Sequence, residues 1–257
     1  MNYAIIVYQN ALKKAFSSKV NNKYLFVLEA THGGTTELTE LLSTSEHVSS
    51  NNYLHTREGQ LLPTVIDHMF THGQQWEEDL EIDWHFVKQE WRKYWDVRKC
   101  VLLEKSPTNL LRARAIEAVF EPAYFLVFVR DPYAHCETFI RKNDFTPRQT
   151  AEFVIRMLKV QQRNLKELDR ALLLHYETLV QDPETFKKRL TAFLGELSDI
   201  ETGGIFYAHN HYQQPLGLKN FNQEKIDRLS ASAISEINEV FGVNEDLLQY
   251  FGYRLQS

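Results

Sequence analysis

The turn THGGTT at residues 31–36 carries the first chemistry that this sequence suggests. It follows an apolar run, residues 24–28, that is typical of a buried strand, and it precedes leucines at helical spacing. The N–H groups of such a turn converge on one point, where the helix dipole favours an anion. Gly33 and Gly34 let the backbone approach the ligand, and the hydroxyls of Thr35 and Thr36 add donors. The turn therefore suggests a phosphate site, although an ordinary strand-to-helix turn explains it equally well.

Other groups that bind anions or transfer protons stand where further apolar runs end. Lys105 and Arg130 each follow such a run, and Tyr176 ends a third. The three runs that we interpret as strands are residues 99–103, 124–129 and 171–176. Because ligands bind at the carboxyl ends of parallel strands, we expect the glycine turn, Lys105, Arg130 and Tyr176 to lie along one edge of a sheet.

Helical patterns separate these strands and must position them. The segments with helical spacing are residues 108–119, 147–169, 184–194 and most of 222–248. Strands that alternate with helices predict a three-layer α/β fold with a mostly parallel central sheet flanked by helices. Residues 3–8 suggest an edge strand, residues 11–16 a short helix and residues 49–52 a loop. We expect residues 1–257 to form a single domain, since no linker divides the chain.

The composition is that of an ordinary globular protein. Hydrophobic residues make up 43% and charged residues 25% of the 257 positions, and the net charge is −5. This charge argues against a dedicated nucleic-acid partner. Cys100 and Cys136 form no metal or disulfide motif. No apolar stretch resembles a secretory signal or membrane span, so we expect a cytoplasmic protein without a membrane partner.

Residues 71–97 combine four tryptophans with many acidic side chains. One interpretation is an amphipathic helix or helical hairpin whose aromatic rings pack on the core, and this suits most of the tryptophans. The other is a lid over an acceptor site, because aromatic rings beside carboxylates suit a polar or cationic organic ligand.

Four blocks of the sequence resemble sulfotransferases that use 3′-phosphoadenylyl sulfate (PAPS). They are FVLEATHGGTTELTELL, LLEKSPTNLLRARAIEAVF, FLVFVRDPYAHCETFIRK and LLLHYETLVQDPETFKKRLTAFLG, in the order of the family. The first is similar to the loop that holds the 5′-phosphosulfate and the third to the motif that binds the 3′-phosphate. The resemblance implies a P-loop-like nucleotide-binding fold, with PAPS as co-substrate and adenosine 3′,5′-bisphosphate (PAP) as product.

The resemblance assigns the 3′-phosphate to Arg130 and Thr138. In the family an Arg and a Ser at this spacing bind that group, and a threonine hydroxyl can replace the serine. A guanidinium can also bind phosphate through two hydrogen bonds. The alternative for Arg130 is a structural salt bridge, for example with Asp131. Residues that can add charge or packing around the nucleotide are Arg141, Lys142, Tyr176 and Lys219.

The sequence departs from the family pattern at His32. Most members carry a lysine or arginine there, which steadies the bridging oxygen as the bond to sulfur breaks. Histidine is not always charged near neutral pH. Either His32 performs this task with a pH dependence, or Lys105 performs it, since Lys105 matches a family position that also reaches the sulfate. A third reading is that activity is weak or lost.

Sulfuryl transfer also needs a base that takes the acceptor's proton. The candidates are Glu58, His55 and His32. Glu58 precedes Pro63 by five residues, as does a catalytic glutamate in the tyrosylprotein branch of the family. We therefore expect Glu58 to be the base and His55 the second choice, while a structural role for Glu58 stays open.

These features predict a sulfotransferase that acts on a hydroxyl or amine of a small molecule. The acidic 71–97 segment favours a polar metabolite, and a cationic product of secondary metabolism such as an alkaloid is one candidate. No metal is expected, because the mechanism requires none and because His68 and His72 lack a third ligand. The competing functions are a non-catalytic nucleotide-binding homologue and a P-loop kinase or NTPase, whose GxxxxGK[ST] pattern is missing. Monomer and homodimer stay open.

Overall fold

The computed structural model describes residues 3–16, 20–52, 57–69, 74–204 and 217–256. The strands are β1 (Lys23–Leu28), β2 (Val48–Ser50), β3 (Val101–Glu104), β4 (Ala123–Val129) and β5 (Ala171–His175). The helices are α1 (Tyr3–Ala15), α2 (Thr35–Leu42), α3 (Ile66–Met69), α4 (Trp84–Tyr94), α5 (Ala113–Val119), α6 (Pro132–Asn143), α7 (Pro147–Glu167), α8 (Tyr176–Gln181), α9 (Pro183–Phe193), α10 (Asn222–Ile226), α11 (Ala231–Gly242) and α12 (Glu245–Tyr250). Short 3-10 turns cover Gly59–Leu61, Pro107–Arg112 and Gly195–Leu197.

The strands form one parallel sheet in the order β2-β3-β1-β4-β5. Leu25 of β1 lies opposite Leu103 of β3 on one side and Tyr124 of β4 on the other. This arrangement confirms the predicted α/β fold. The chain leaves β1 toward β2 on one side of the sheet and leaves β4 toward β5 on the other side. The direction of the connections thus reverses between the neighbouring strands β1 and β4, and parallel sheets bind ligands at the carboxyl edge beside such a reversal.

Alternate side chains of β1 enter different parts of the core. Phe26 packs on the face that carries Trp91 and Phe120, whereas Leu25 packs on the face that carries Leu41 and Phe186. All six side chains are fully buried. This two-sided burial explains why the strand sequences are continuous apolar runs without alternation. A third cluster joins α6 and α7 to the C-terminal helices.

The predicted edge strand at residues 3–8 is wrong, because this segment is the first part of α1. Ile6 and Asn10, four residues apart, are buried on the same helical face. The Asn10 side-chain amide donates to the Tyr94 carbonyl at 2.7 Å. Packing against α4 therefore decides the helical conformation. Of the helices that the structure describes, none is both long enough and apolar enough to cross a membrane.

The predicted loop at residues 49–52 is also partly wrong. Residues Val48–Ser50 form the edge strand β2, with Val48 opposite Val101 of β3. The Ser49 hydroxyl accepts from the Asp96 amide at 2.8 Å. Serine has a low intrinsic preference for strands, so the backbone ladder to β3 and this tertiary hydrogen bond override the local signal.

The acidic, tryptophan-rich segment contains less helix than expected. Among its described residues, 74–97, only Trp84–Tyr94 is helical, and Asp83 caps the first turn of this helix by accepting from the Phe86 amide at 3.0 Å. Trp91 and Trp95 are fully buried, which agrees with packing on the core. Residues 74–83 approach the body of the protein as an irregular segment, since repeated carboxylates offer no apolar face to a helix.

Candidate active site

The glycine turn between β1 and α2 has no room for larger residues. A Cβ at Gly33 would lie 2.2 Å from the side chain of Glu29. Gly34 has a φ of 91° and is the N-cap of α2, and its Cβ would lie 2.5 Å from the ring of Tyr176. Both positions therefore require glycine, one for close packing and one for its left-handed backbone as well. The first helical residues, Thr35 and Thr36, follow directly, so the start of α2 opens at the carboxyl edge of the sheet.

His32 lies in the same turn with a positive φ of 73°. Its Nε2 is 3.0 Å from the Asn143 side-chain oxygen, which fits a protonated Nε2 that donates to Asn143. The edge of the ring meets Phe139, with centroids 5.1 Å apart. Burial lowers the pKa of His32 to about 4, so the imidazole is neutral near neutral pH. His32 therefore carries no charge at the position where the family resemblance led us to expect a cation.

Lys105 and Glu58 form a buried ion pair beside the turn. The Lys105 Nζ is 3.2 Å from Glu58 Oε1, and the two side chains are 4% and 13% exposed. The second oxygen of Glu58 accepts from the Gln60 side chain at 2.8 Å. Lys105 follows β3 directly, as predicted. The structure thus brings together the two candidates that the sequence proposed for acid and base chemistry, while His55 lies outside the described residues.

Arg130, at the end of β4, is held from three sides. Its Nε donates to the Asn222 side chain at 2.7 Å, and its Nη1 lies 3.5 Å from the His32 carbonyl oxygen. The guanidinium stacks on the Tyr176 ring, 4.1 Å from the centroid. Its Nη2 is buried and has no hydrogen-bond partner in the structure.

The salt bridge between Arg130 and Asp131 that the sequence left open is not formed. Asp131 instead caps α6, where its carboxylate accepts from the amides of Tyr133 and Ala134 at 2.9 and 3.0 Å. Within the described part of the chain, Arg130 makes no ion pair with any carboxylate. A buried cation with a free donor is a group that fits an anionic ligand.

Thr138 and Lys225 stand next to Arg130. The Thr138 hydroxyl donates to the Ala134 carbonyl at 3.0 Å and accepts from the Lys225 ammonium at 2.9 Å. Burial, and then the charge of Arg130, lower the pKa of Lys225 to about 7. Two basic side chains and a hydroxyl therefore converge in one place, where Arg130 and Thr138 are buried and Lys225 is half-buried, and this is the composition of a phosphate site.

Glu37, in the first turn of α2, interacts electrostatically with the cations of the site. Burial raises its pKa, while the charges of Arg130, Lys225 and Lys105 lower it. The Glu37 carboxyl group is therefore within electrostatic range of all three cations. Its negative charge balances cations that would otherwise repel one another.

Tyr176 and Lys219 complete the wall around Arg130. The Tyr176 hydroxyl donates to the Lys219 carbonyl at 3.0 Å, and burial raises the Tyr176 pKa to about 12. The Lys219 ammonium pairs with Glu224 at 3.1 Å and is 56% exposed. Lys219 thus contributes its backbone to the wall, and its charge is engaged at the surface. Arg141 is similarly engaged by Glu137, at 2.6 Å.

A model described as the sulfotransferase family matches residues 25–199, which include the glycine turn, the Lys105–Glu58 pair, Arg130 and Tyr176. The chain belongs to the sulfotransferase family. This membership supports sulfuryl transfer as the general chemistry of the site.

Solved sulfotransferases share the fold at low sequence identity. The sulfotransferase domain of the Synechococcus PCC 7002 olefin synthase is 18% identical with a TM-score of 0.57, covering 93% of this chain and 98% of its own. Sulfotransferase STF1 from Mycobacterium tuberculosis H37Rv is 14% identical with a TM-score of 0.56, covering 97% and 81%. Sulfotransferase STF9 from Mycobacterium avium is 13% identical with a TM-score of 0.53, covering 99% and 82%. No curated protein matched the sequence.

The acidic segment of this sulfotransferase lines an open cavity of about 920 Å³. Glu78, Asp79 and the residues up to Trp84 form one wall, and residues 111–115 form part of the other. Arg112 connects the walls, because its guanidinium donates to the Gln75 carbonyl at 3.1 Å and to the Glu77 carbonyl. The segment is therefore tied to the 3-10 turn that follows Lys105.

Metal-ligand candidates lie away from this site. His68 packs its ring on Phe86 with centroids 4.7 Å apart, and His72 is outside the described residues. Among the residues that the structure describes, the one group whose ligand atoms come within 4.8 Å of each other is Glu46, His47 and Asp199. These side chains are exposed or half-buried at the amino edge of the sheet, where Asp199 already accepts from the Glu46 amide at 2.9 Å.

Sequence reasoning missed Lys225, Asn222 and Glu37 as members of the site. Lys225 and Asn222 belong to the short helix α10, far along the chain from Arg130. The sequence predicts a helical tail there, but helical spacing does not indicate which of its side chains pack near the end of β4. Glu37 lies within the first resembling block, directly after the anion-binding turn, and this position is the signal that could have found it.

Proposed function

We propose that this sulfotransferase transfers the sulfuryl group of PAPS to a hydroxyl or amine of a small molecule and releases PAP. The observation that carries the proposal is the Arg130 guanidinium, which is buried, stacked on Tyr176 and left with an unpartnered Nη2. A 3′-phosphate would accept from this nitrogen, from Lys225 and from Thr138. The fit is one of donors to an acceptor-rich anion.

The glycine turn, Lys105 and Glu58 would have separate roles in the transfer step. The amides of residues 33–36 would hold the 5′-phosphosulfate, and Lys105 would neutralise charge on the oxygens around sulfur. The lone pair of the acceptor oxygen or nitrogen would form the new bond to sulfur, while Glu58 takes the proton from that atom. The bond from sulfur to the phosphate oxygen breaks in the same step, and its electrons leave with PAP. Such transfer depends mainly on alignment and charge stabilisation.

Lys105 suits the cationic role better than His32 does. Its ammonium is buried 3.2 Å from the proposed base, whereas His32 is neutral and its Nε2–H is directed at Asn143. A neutral His32 also favours the competing function, a nucleotide-binding homologue without turnover. The two functions differ in whether PAPS is consumed.

Turnover is tested by incubating the protein with PAPS and a panel of small hydroxyl and amine compounds. Mass spectrometry follows PAP and the sulfated product, and a thermal-shift series compares PAP with ATP and magnesium. Sulfated product together with stabilisation by PAP supports the proposal. Stabilisation by PAP with no turnover across the panel favours the non-catalytic homologue, and stabilisation by ATP with magnesium alone rejects both.

The acceptor that we propose is a polar, cationic metabolite such as an alkaloid. The cavity wall around Glu78 and Asp79 supports this choice, because carboxylates attract and orient ammonium or guanidinium groups. Arg163 pairs with Glu78 at 2.8 Å, so a cationic acceptor would compete with this guanidinium for Glu78 or bind Asp79 beside it.

Charge reversal tests the acceptor class. Glu77→Lys, Glu78→Lys and Asp79→Lys together should raise the KM of a cationic acceptor by about tenfold or more while leaving the KM of PAPS unchanged. Glu236→Lys, an exposed reversal on α11, is the matched control. An unchanged KM for a cationic acceptor in the triple variant would reject this class and leave PAPS-dependent transfer intact.

A further inference from the structure

Glu104, the last residue of β3, is a buried carboxylate with an unusual set of partners. It is 1% exposed and accepts four hydrogen bonds. Oε1 accepts from the Gly59 amide at 2.7 Å and the Ser106 hydroxyl at 2.6 Å, and Oε2 accepts from the Ser106 amide at 2.9 Å and the Asn109 side chain at 2.5 Å. In the described part of the chain no cation pairs with it.

These partners belong to the two turns that present the catalytic candidates. Gly59 directly follows Glu58, and Ser106 directly follows Lys105. The Ser106 hydroxyl also accepts from the Gln60 amide at 2.9 Å, so one hydroxyl links the Glu58 turn to the carboxylate. The polar contacts of Glu104 therefore fasten both turns to the end of one strand.

Gly59 is fixed tightly against this carboxylate. A Cβ there would lie 2.6 Å from Glu104 Oε1 and 2.4 Å from the Asn51 side chain. The same Cβ would lie 2.9 Å from the Trp91 indole nitrogen, which donates to the Gly59 carbonyl at 3.2 Å. The Glu58 turn thus cannot shift relative to Glu104 without breaking a buried hydrogen bond, which is costly.

The donors around Glu104 suit an ionised carboxylate, since such a group can only accept. Burial raises the pKa of Glu104, and the hydrogen bonds from Ser106 and Gly59 oppose that effect. An uncharged amide in the same place would direct its NH₂ group at two donors, whichever way it turned. The site is therefore specific for a carboxylate.

We infer that Glu104 is a positioning residue that holds Glu58 and Lys105 in register for the transfer step. Glu104 makes no hydrogen bond or ion pair with the Glu58 carboxylate or the Lys105 ammonium. It acts through the backbone and side chains of the residues that follow them. The inference rests on the proposed function in one respect, that Glu58 and Lys105 carry out the chemistry. The positioning itself is a property of the ligand-free chain.

The first test is the steady-state kinetics of Glu104→Gln. Misplacement of a reacting group by a fraction of an ångström to 1 Å should lower kcat by about 100-fold, with the KM of PAPS and the Kd of PAP within about twofold of wild type. Ser106→Ala, a milder change in the same network, should lower kcat by about tenfold with the same split. It replaces Glu104→Gln if that variant does not fold.

The matched control is Glu177→Gln, which alters a carboxylate behind the other half of the site. Glu177 accepts from the Asp131 amide at 2.8 Å and from Asn222, which in turn holds Arg130. This variant should raise the Kd of PAP. A loss of kcat without a change in PAP binding in Glu104→Gln, and a loss of PAP binding in Glu177→Gln, would separate positioning of the pair from general destabilisation.

The second test needs no turnover. The rate at which an amine-reactive reagent acetylates Lys105, followed by mass spectrometry, measures how often the Lys105–Glu58 ion pair opens and exposes the amine. The rate should rise by about tenfold or more in Glu104→Gln, while the exposed Lys219 reacts as in wild type. An unchanged Lys105 rate, or a wild-type kcat in both variants, overturns the inference. Absence of transfer by the wild type with a raised Lys105 rate would instead reject only the proposed function.

Discussion

Lys225 shows how a single distant residue completes the anion site. Its ammonium reaches the Thr138 hydroxyl at 2.9 Å, and burial lowers its pKa to about 7. The charge of Arg130 adds to this effect, while the carboxylates of Glu137 and Glu37 oppose it. An arriving phosphate would reverse that balance and bring the pKa back up. Lys225 therefore couples ligand binding to proton uptake.

The coupling predicts a pH dependence of PAP affinity. Below pH 7 Lys225 is already charged, and binding takes up no proton there. Between pH 7 and the higher pKa that Lys225 has in the complex, binding must protonate Lys225. The Kd of PAP should therefore rise by up to about tenfold per pH unit in this range. Calorimetry in buffers of different ionisation enthalpy measures the uptake. Lys225→Arg should remove it, and an equal uptake in that variant would assign the proton to another group.

His32 gives the second prediction at this scale. With a pKa of about 4, His32 is neutral from pH 6 to 8, so its titration should not change kcat within this pH range. His32→Lys should keep or raise kcat, because it restores a permanent cation near the sulfuryl group. His85→Lys, an exposed change on α4, is the control. Complete loss of turnover in His32→Lys with PAP binding intact would reveal a role that specifically needs the imidazole.

The sequence predicted the site residues unevenly, for a physical reason. Lys105, Arg130 and the glycine turn follow strands, so the sheet itself brings them to one edge. Asn222 and Lys225 reach Arg130 through tertiary packing of α10 on α6, and no local periodicity encodes that contact. Their charges and amides became meaningful only in three dimensions.

At the scale of elements, the turn between β1 and α2 is the least tolerant part of the site. The ring of Tyr176 packs against Gly34 of this turn and also against the Arg130 guanidinium. The geometry of the turn, the aromatic ring and the arginine are therefore linked, and an added methyl group at Gly34 would disturb all three.

Gly34→Ala should lower the free energy of unfolding by about 2–4 kcal/mol, from left-handed backbone strain together with overpacking. It should also weaken PAP binding, because Tyr176 must move away from Arg130. Gly242→Ala is the matched control, since its Cβ would meet nothing within 4 Å. Urea denaturation measures the first effect and calorimetry the second. Wild-type stability in Gly34→Ala would contradict the geometry described for the turn.

Elements whose conformation depends on partners were the ones that the sequence misassigned. Residues 3–8 show strand-like apolar character but fold as α1, since Ile6 and Asn10 share a helical face that α4 covers. The serines of β2 look like a loop but complete the ladder to β3. The long patterns of β4 and α7 were predicted closely, because apolar periodicity over many residues leaves few alternatives.

At the scale of the whole molecule, the sheet places two chemical functions on either side of one turn. The strand order puts β3 and β4 on opposite sides of β1, so Lys105 and Arg130 flank the glycine turn. The C-terminal helices then cover Arg130 through Asn222 and Lys225. A nucleotide with phosphates at both ends of its ribose would meet positive charge on both sides, although the net charge of the chain is −5.

The binding of PAP to the wild type and to Arg130→Met, measured by calorimetry, tests this central claim most directly. We predict that the wild type binds PAP, that ATP with magnesium binds far more weakly, and that Arg130→Met lowers PAP affinity by about 10–100-fold, since it removes charge-assisted hydrogen bonds to the 3′-phosphate. Equal PAP affinity in the two proteins, or a preference for ATP with magnesium, would contradict the account.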